Sequence, residues 1–390
     1  MKKAVSFVLA LSMVAMSLTA CGNKAATEST EKTETTEATY KIGGIGPVTG
    51  GAAVYGQAVK NGAQIAIDEI NAAGGVNGAQ LEFNFQDDEH DAEKSVNAYN
   101  TLKDWNMQLL MGTVTSTPCI AVAEESNKDQ IFQLTPSGSA VPCVQYDNAF
   151  RVCFSDPNQG LASAQYIGEN KLASKVAVIY DSSDVYSSGI YEKFAEEAKN
   201  QNLEIVAAEA FTADSKTDFT VQLQKAKDAG AELVFLPIYY SEAALILAQA
   251  NTMGFAPTFF GCDGLDGILT VENFDTKLAE GVMLLTPFAA DATDDLTKKF
   301  VEAYNKAYGE TPNQFAADAY DAIYTIKAAL EAGNATPDMS AQELCELLKT
   351  AMPKITVDGL TGAGMTWTAD GEVNKAPKAV KIVNGVYTAM

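Results

Sequence analysis

From Tyr40 onward, short β-branched runs alternate with stretches whose apolar positions recur at helical spacing, the pattern of α/β folds with parallel sheets. The first strand candidates are YKIGGIG from Tyr40, AQLEFNFQ from Ala79, MQLLMG from Met107 and IFQLTP from Ile131. Between the first two, Val59, Ala63, Ile67 and Ile70 predict a helix over Gly56–Asn71, stopped by the turn from Gly74 to Gly78. A second series begins at Lys175: KVAVIY, LEIVAAEAF, ELVFLPI and PTFFG, again separated by helices.

The two series repeat each other weakly. In both, strand one runs into a loop bearing a tyrosine, Tyr55 in the first and Tyr186 in the second. Strand three runs into a polar loop, Gly112–Ser116 in the first and Pro237–Ser241 in the second. This predicts an α/β protein of two doubly wound parallel-sheet lobes. After GVMLLTPF, helical patterns return through Leu296, Phe300 and Tyr304, then through Ala319, Ile323, Ile326 and Leu330. The end reads as short strands, MTWTAD from Met365, a turn at Gly371 and AVKIVNG from Ala379, too few for a third domain.

The first forty residues do not share this pattern. Lys2 and Lys3 precede the apolar run VSFVLALSMVAMSL, which has the length of a signal h-region and falls short of the ~20 residues of a membrane span. It ends in Leu18-Thr19-Ala20-Cys21, a lipoprotein cleavage box that makes Cys21 the expected lipidation site. Residues 1–20 are thus expected to be a signal peptide, and the Thr/Glu/Ala-rich residues 21–39 a flexible tether. The expected location is extracytoplasmic, lipid-anchored to the cell membrane.

Charge narrows the partners. Among 390 residues, 27 are basic and 50 acidic, for a formal net charge of −23, a field that repels nucleic acid and anionic lipid. Of the 6 cysteines, Cys119, Cys143, Cys153, Cys262 and Cys345 remain beside Cys21, with no CxxC spacing for zinc or redox chemistry. Pairing of Cys143 with Cys153 is left open.

Several chemistries can be tested on the residues. The glycine-rich loop after Tyr40 has Thr49 where a dinucleotide fingerprint needs Gly or Ala, lacks the acidic residue about 20 positions on, and has no Walker-type lysine. The acids around His90 (Asp87, Asp88, Glu89, Asp91) read as a solvated loop in which Asp91 caps a helix from Ala92, rather than as metal ligands. Asp263–Gly267 does not continue as a calcium loop. With 1 histidine and no G-x-S-x-G elbow, nothing singles out an enzyme, a metal or a cofactor.

Loops at the carboxyl ends of parallel strands face the crevice where open α/β sheets bind ligands. Here they carry Tyr55, Ser116, Ser137, Ser139, Tyr186, Tyr239 and Asp263. Hydroxyls and helix-start amides suit a carboxylate, an acid suits an ammonium, and aromatic rings cover alkyl carbons.

Ordered motifs along nearly the whole chain then carry a resemblance. They are Ile45–Gly50, Tyr55-Gly56, Gly74–Gly78, Gln86–Asp88, Gly112–Ser116, Thr135–Ser137, Phe150-Arg151 before Asp156, Gly261–Gly264 and Ala319–Ala322. In these the chain resembles the leucine/isoleucine/valine-binding family of extracytoplasmic solute-binding proteins that feed ABC importers. The resemblance implies two lobes of the type I periplasmic-binding-protein fold, hinged and closing on a small amino acid, branched-chain or otherwise apolar in kind. The expected lobes are residues 40–155 with 287–366, and 156–286 with 367–390. It implies that Ser116 binds the ligand carboxylate and that Ser137 and Ser139 contact its carboxylate and ammonium. Tyr186 and Asp263 are second-lobe groups, the acid pairing the ammonium, while Tyr55, Tyr239 and Phe315 surround the side chain. Some members carry a disulfide where this chain has His90 and Thr115. The implied partners are ABC permease subunits, with the receptor a monomer. A sensory module for a membrane receptor, or a ligand of the urea, amide or aromatic-acid classes, stands as the alternative.

Overall fold

A computed structural model describes residues 39–390. The signal-like run, Cys21 and all but the last residue of the tether lie outside the described residues. Among the described residues no helix is long and apolar enough to cross a membrane.

The first sheet is formed by β1 (Thr39–Gly46), β2 (Gln80–Asp87), β3 (Leu109–Gly112), β4 (Gln133–Thr135) and β5 (Ala149–Arg151). Its strands are parallel, in the order β2-β1-β3-β4-β5. The second sheet contains β6 (Lys175–Asp181), β7 (Glu204–Phe211), β8 (Leu233–Leu236), β9 (Thr258–Gly261), β10 (Met283–Thr286), β11 (Lys378–Val383) and β12 (Val386–Ala389). Its order is β12-β11-β10-β9-β8-β6-β7, with β11 and β12 added antiparallel. The run β7-β6-β8-β9-β10 repeats the order of the first sheet, so the internal repeat of the sequence is a repeat of topology.

Strands β3 and β8 are buried throughout, which is why they read as continuous apolar runs. Helix α1 (Ala53–Ala72) packs against α9 (Gln314–Ala332), α2 (Ala92–Asp104) against α3 (Ser116–Asp129), and α4 (Asp156–Glu169) against α5 (Val185–Ala198). Between β7 and β9 lie α6 (Thr220–Asp228) and α7 (Tyr240–Thr252); α8 (Asp295–Tyr308), α9 and α10 (Ala341–Ala351) follow β10. Helices α8 and α9 return to pack on α1, and α9 and α10 reach β3 of the first sheet. The chain therefore crosses between the two lobes after β5, after β10 and before β11.

The crossings are tied together by buried polar contacts. Trp367 Nε1 donates to Arg151 O at 2.8 Å, Arg151 N donates to Gly371 O at 3.0 Å, and Lys375 pairs with Asp318 at 2.8 Å, both side chains almost fully buried.

Two expectations change. The segment MTWTAD forms only isolated bridges, Val357 to Met365 and Trp367 to Val373, because its backbone groups bond locally, to Val357 and to Glu372–Asn374, rather than to a strand of either sheet. The loop before α2 is not wholly solvated. Asp91 caps the helix by accepting from Lys94 N at 2.8 Å, as expected, but Asp88 is fully buried and burial pushes its carboxyl up to about 7. Cys119, Cys143, Cys153, Cys262 and Cys345 are all free and buried, so Cys143 and Cys153 do not pair.

Candidate functional site

The glycine-rich loop after β1 makes contacts unsuited to a phosphate. Thr49 Oγ1 donates to Asp87 Oδ2 at 2.6 Å and Val48 N to Asp87 Oδ1 at 2.9 Å, so its polar groups are turned onto the end of β2. Gly56 lets α1 start tight against this loop; a Cβ there would lie 1.9 Å from Pro47 O. That start carries Tyr55 into the space between the lobes.

Tyr55, Ser116, Ser137, Ser139, Tyr186, Tyr239, Asp263 and Phe315 all line one cavity, together with Val114, Thr115 and Gly264. The structure brings together every ligand-contacting residue expected from the sequence. The space they leave is about 10 Å³.

The first-lobe wall is a serine-bearing loop set against a helix start. Thr115 is the N-cap of α3 and Ser116 its first residue. Ser116 Oγ accepts from Ala140 N at 3.2 Å, which leaves its proton free for a ligand oxygen. Ser137 Oγ donates to Val114 O at 2.7 Å, and Thr135 Oγ1 both donates to Thr113 O at 2.6 Å and accepts from Gly138 N at 2.7 Å. Neither Ser137 nor Ser139 caps the short helical turn at Val141–Val144.

Arg151 holds this loop from behind. Its guanidinium donates to the carbonyls of Gly138, Ser139 and Ala140, the last at 3.0 Å, and meets Glu372 at 3.3 Å. It is fully buried. In the sequence Arg151 belongs to the Phe150-Arg151 motif, and its signal as a buried hydrogen-bond hub is that it is a single arginine within the otherwise apolar Ala149–Phe154.

The second-lobe wall is built from rings and acids. Tyr186 Oη donates to Asp263 Oδ1 at 2.7 Å and accepts from Gly264 N at 2.9 Å. A Cβ at Gly264 would lie 2.6 Å from that hydroxyl, so glycine is needed for the contact. Tyr186 stacks on Tyr239 at 4.9 Å and 10°, and Tyr55 lies 4.3 Å from Phe315 and 5.6 Å from Tyr239 between ring centres. Across the lobes, Tyr55 Oη donates to Gly264 O at 2.5 Å and accepts from Tyr240 N at 3.2 Å.

Burial raises the Asp263 carboxyl to about 7, against the lowering effect of the Tyr186 hydrogen bond. A second acid, Asp156, lies beside this one without a counterpart among the contacts expected from the sequence. Its amide donates to Ser139 O at 3.0 Å, its carboxyl oxygens have no hydrogen-bond partner, and burial, together with Asp263 nearby, pushes it well above the usual carboxylate range. Its position at a helix start made it look like an ordinary first-turn acid.

His90 and Thr115, where some members carry a disulfide, meet through a hydrogen bond of 2.8 Å between Nδ1 and Oγ1. The imidazole also sets its edge on Tyr239 at 5.5 Å, and burial lowers its pKa. Among the described residues no cluster of three or more His, Cys, Asp or Glu could hold a metal ion.

The periplasmic binding protein family profile matches residues 39–385. The Leu/Ile/Val-binding protein homolog 3 of Brucella melitensis is 30% identical over 302 residues, 77% of this chain and 81% of that protein. The leucine-, isoleucine-, valine-, threonine- and alanine-binding protein of Pseudomonas aeruginosa is 30% identical over 309 residues, 78% and 82% of the two chains. The branched-chain amino acid transporter substrate binding protein LivJ of Streptococcus pneumoniae, solved in complex with isoleucine, superposes with a TM-score of 0.81 at 30% identity, covering 90% of this chain and 98% of that one. These are extracytoplasmic binding proteins rather than enzymes. With two parallel-sheet lobes and a profile match over nearly all the described residues, the chain belongs to the periplasmic binding protein family, among its leucine/isoleucine/valine-binding members.

Proposed function

We propose that this protein is the lipid-anchored solute receptor of an ABC importer, capturing a small amino acid with an apolar side chain between its lobes. Leucine, isoleucine and valine are the ligands that best fit the site. The observation that carries this is the convergence, in one cavity, of a hydroxyl and amide wall with a buried acid, the two joined by aromatic rings. Ser116 and the start of α3 receive the carboxylate, whose charge the helix N-terminus favours. Asp263, oriented by Tyr186, receives the ammonium, and Tyr55, Tyr239 and Phe315 cover the alkyl carbons. Relatives named for leucine, isoleucine, valine, threonine and alanine support a small side chain.

Space of about 10 Å³ is no more than one water requires (about 10–15 Å³). Entry of an amino acid therefore needs the lobes to part, and the Tyr55 bonds to Gly264 and Tyr240 are contacts that opening would break. The lobes divide in this proposal at residues 155/156, 286/287 and 366/367, with a monomer presented to permease subunits. Burying the side chain contributes roughly 1.5–3 kcal/mol, against about −8 kcal/mol for micromolar binding. The paired charged ends must supply much of the rest.

A thermal-shift panel on protein unfolded and refolded to remove bound solute tests this, with the common amino acids, urea, short amides and benzoate as probes. Stabilisation by leucine, isoleucine or valine is expected. A ligand without an ammonium leaves Asp263 unpaired, so a shift with benzoate or urea and none with any amino acid would overturn the proposal. For the anchor, Cys21→Ala should move the protein from the membrane fraction to the soluble one.

A further inference from the structure

A second cavity opens between the lobes, about 670 Å³ in volume, within the range of small-molecule sites. It shares no lining residue with the first site. Tyr55, Gly264 and Phe315 line the first cavity, and their chain neighbours line the second: Val54 at the start of α1, Asp266 and Gly267 after β9, and Asn313 before α9. One wall comes from α1 and α8, the other from the Asp266–Thr270 turn and β12.

Its chemistry has one sign. Val54, Leu269, Phe288, Val301 and Pro312 make an apolar body, and the ionisable groups apart from tyrosines are the acids Asp266, Asp291 and Glu310, with no lysine or arginine. Asp291 and Glu310 are exposed, at the rim. Asp266 is only 5% exposed. Its Oδ2 accepts from Gln314 N at 2.8 Å, while Oδ1 has no hydrogen-bond partner. The Tyr387 hydroxyl adjoins this carboxyl and favours its ionised form, while accepting from Gly267 N at 3.1 Å. Burial raises Asp266 to about 6, which leaves it mostly ionised at neutral pH.

We propose that this cavity is a second binding site, for an organic amine: an ammonium carried on an apolar alkyl or aryl body. The ammonium pairs with Asp266 and the rim acids, and the body lies along the apolar wall. An anion or a zwitterion is disfavoured. The first-turn amides of α9 that would receive a carboxylate are already used, Gln314 N on Asp266 and Ala316 N on Asn313 Oδ1, and no cation stands opposite. A bare metal ion is disfavoured too, since no group of three or more His, Cys, Asp or Glu converges among the described residues.

Calorimetry on the full chain at neutral pH, with n-hexylamine and 2-phenylethylamine against hexan-1-ol and hexanoate, tests this independently of the ligand proposed for the first site. The amines should bind at least about tenfold more tightly than the alcohol or the acid, a difference of about one power of ten set by charge. Asp266→Asn keeps an acceptor for Gln314 N and should weaken amine binding roughly fivefold or more. Glu310→Gln, on an exposed loop, should weaken it about twofold to fivefold without affecting folding. Asp263→Asn should leave it unchanged. Absence of amine binding at millimolar concentration, equal binding of hexanol, or loss in Asp263→Asn with retention in Asp266→Asn and Glu310→Gln would each overturn the second site.

Discussion

The two walls of the first cavity are held in place in different ways. On the first lobe, the groups that face the cavity are fixed by hydrogen bonds behind them: Ala140 N on Ser116, Thr135 on Gly138, and Arg151 on the carbonyls of the serine loop. On the second lobe, stacked tyrosines surround an acid whose charge is disfavoured by its surroundings, and Asp156 adds another close by. One wall is pre-organised and neutral; the other holds buried carboxyls that a cation would relieve. Selectivity for an ammonium should then reside in the second lobe and rigidity in the first.

The largest expected effect lies on the second wall. Asp263→Ala should weaken leucine binding by about 2–5 kcal/mol, because it strands an ammonium in a closed site; titration calorimetry showing unchanged affinity would remove Asp263 from its role. On the first wall, Arg151→Met should cost about 3 kcal/mol of folding stability, by leaving several buried carbonyls without donors. Urea denaturation measures this, and a variant that loses affinity at full stability would make Arg151 a ligand contact rather than a support. Ser116→Ala should cost roughly 1.5–3 kcal/mol of affinity, the range for a hydrogen bond to a charged group, with little change in melting temperature.

The acids of the second wall also predict opposite pH trends for stability and binding. The folded-state pKa of Asp263, about 7, lies above its ordinary value, so its contribution to the stability of the ligand-free protein is present at low pH and lost as pH rises through 7. Binding an ammonium needs the ionised form, so affinity should rise about tenfold from pH 6 to pH 8 with release of a proton. Calorimetry in buffers of different ionisation enthalpy counts that proton, and pH-independent affinity would contradict it. The smallest effect is expected at the mouth: His90→Ala removes one hydrogen bond to Thr115 and one ring edge on Tyr239, for about 1 kcal/mol of stability by thermal melting.

Periodicity located the strands of both series to within a few residues because apolar runs buried on both faces leave a strong mark on the chain. It did not single out β5, since three residues ending in an arginine lack that mark. Seven of the eight candidate ligand contacts were legible because loops at the carboxyl ends of parallel strands converge in this topology; the family resemblance supplied their roles and added Phe315, on α9. Arg151 and Asp156 escaped because their importance lies in what surrounds them: an arginine becomes a hub only when carbonyls from another segment turn toward it. The second cavity had no signal at all, being lined by residues from 54 to 387 that no local pattern connects.

The sequence by itself thus determined two doubly wound lobes, the repeat between them and the residues that line the first cavity, because each depends on local periodicity or on short ordered motifs. Only the tertiary structure decided the bonding behind the serine loop, the burial that raises Asp263 and Asp156, and the acidic cavity beside the cleft. Desolvation and hydrogen-bond satisfaction depend on atoms brought together from distant parts of the chain, and a linear pattern does not record that approach.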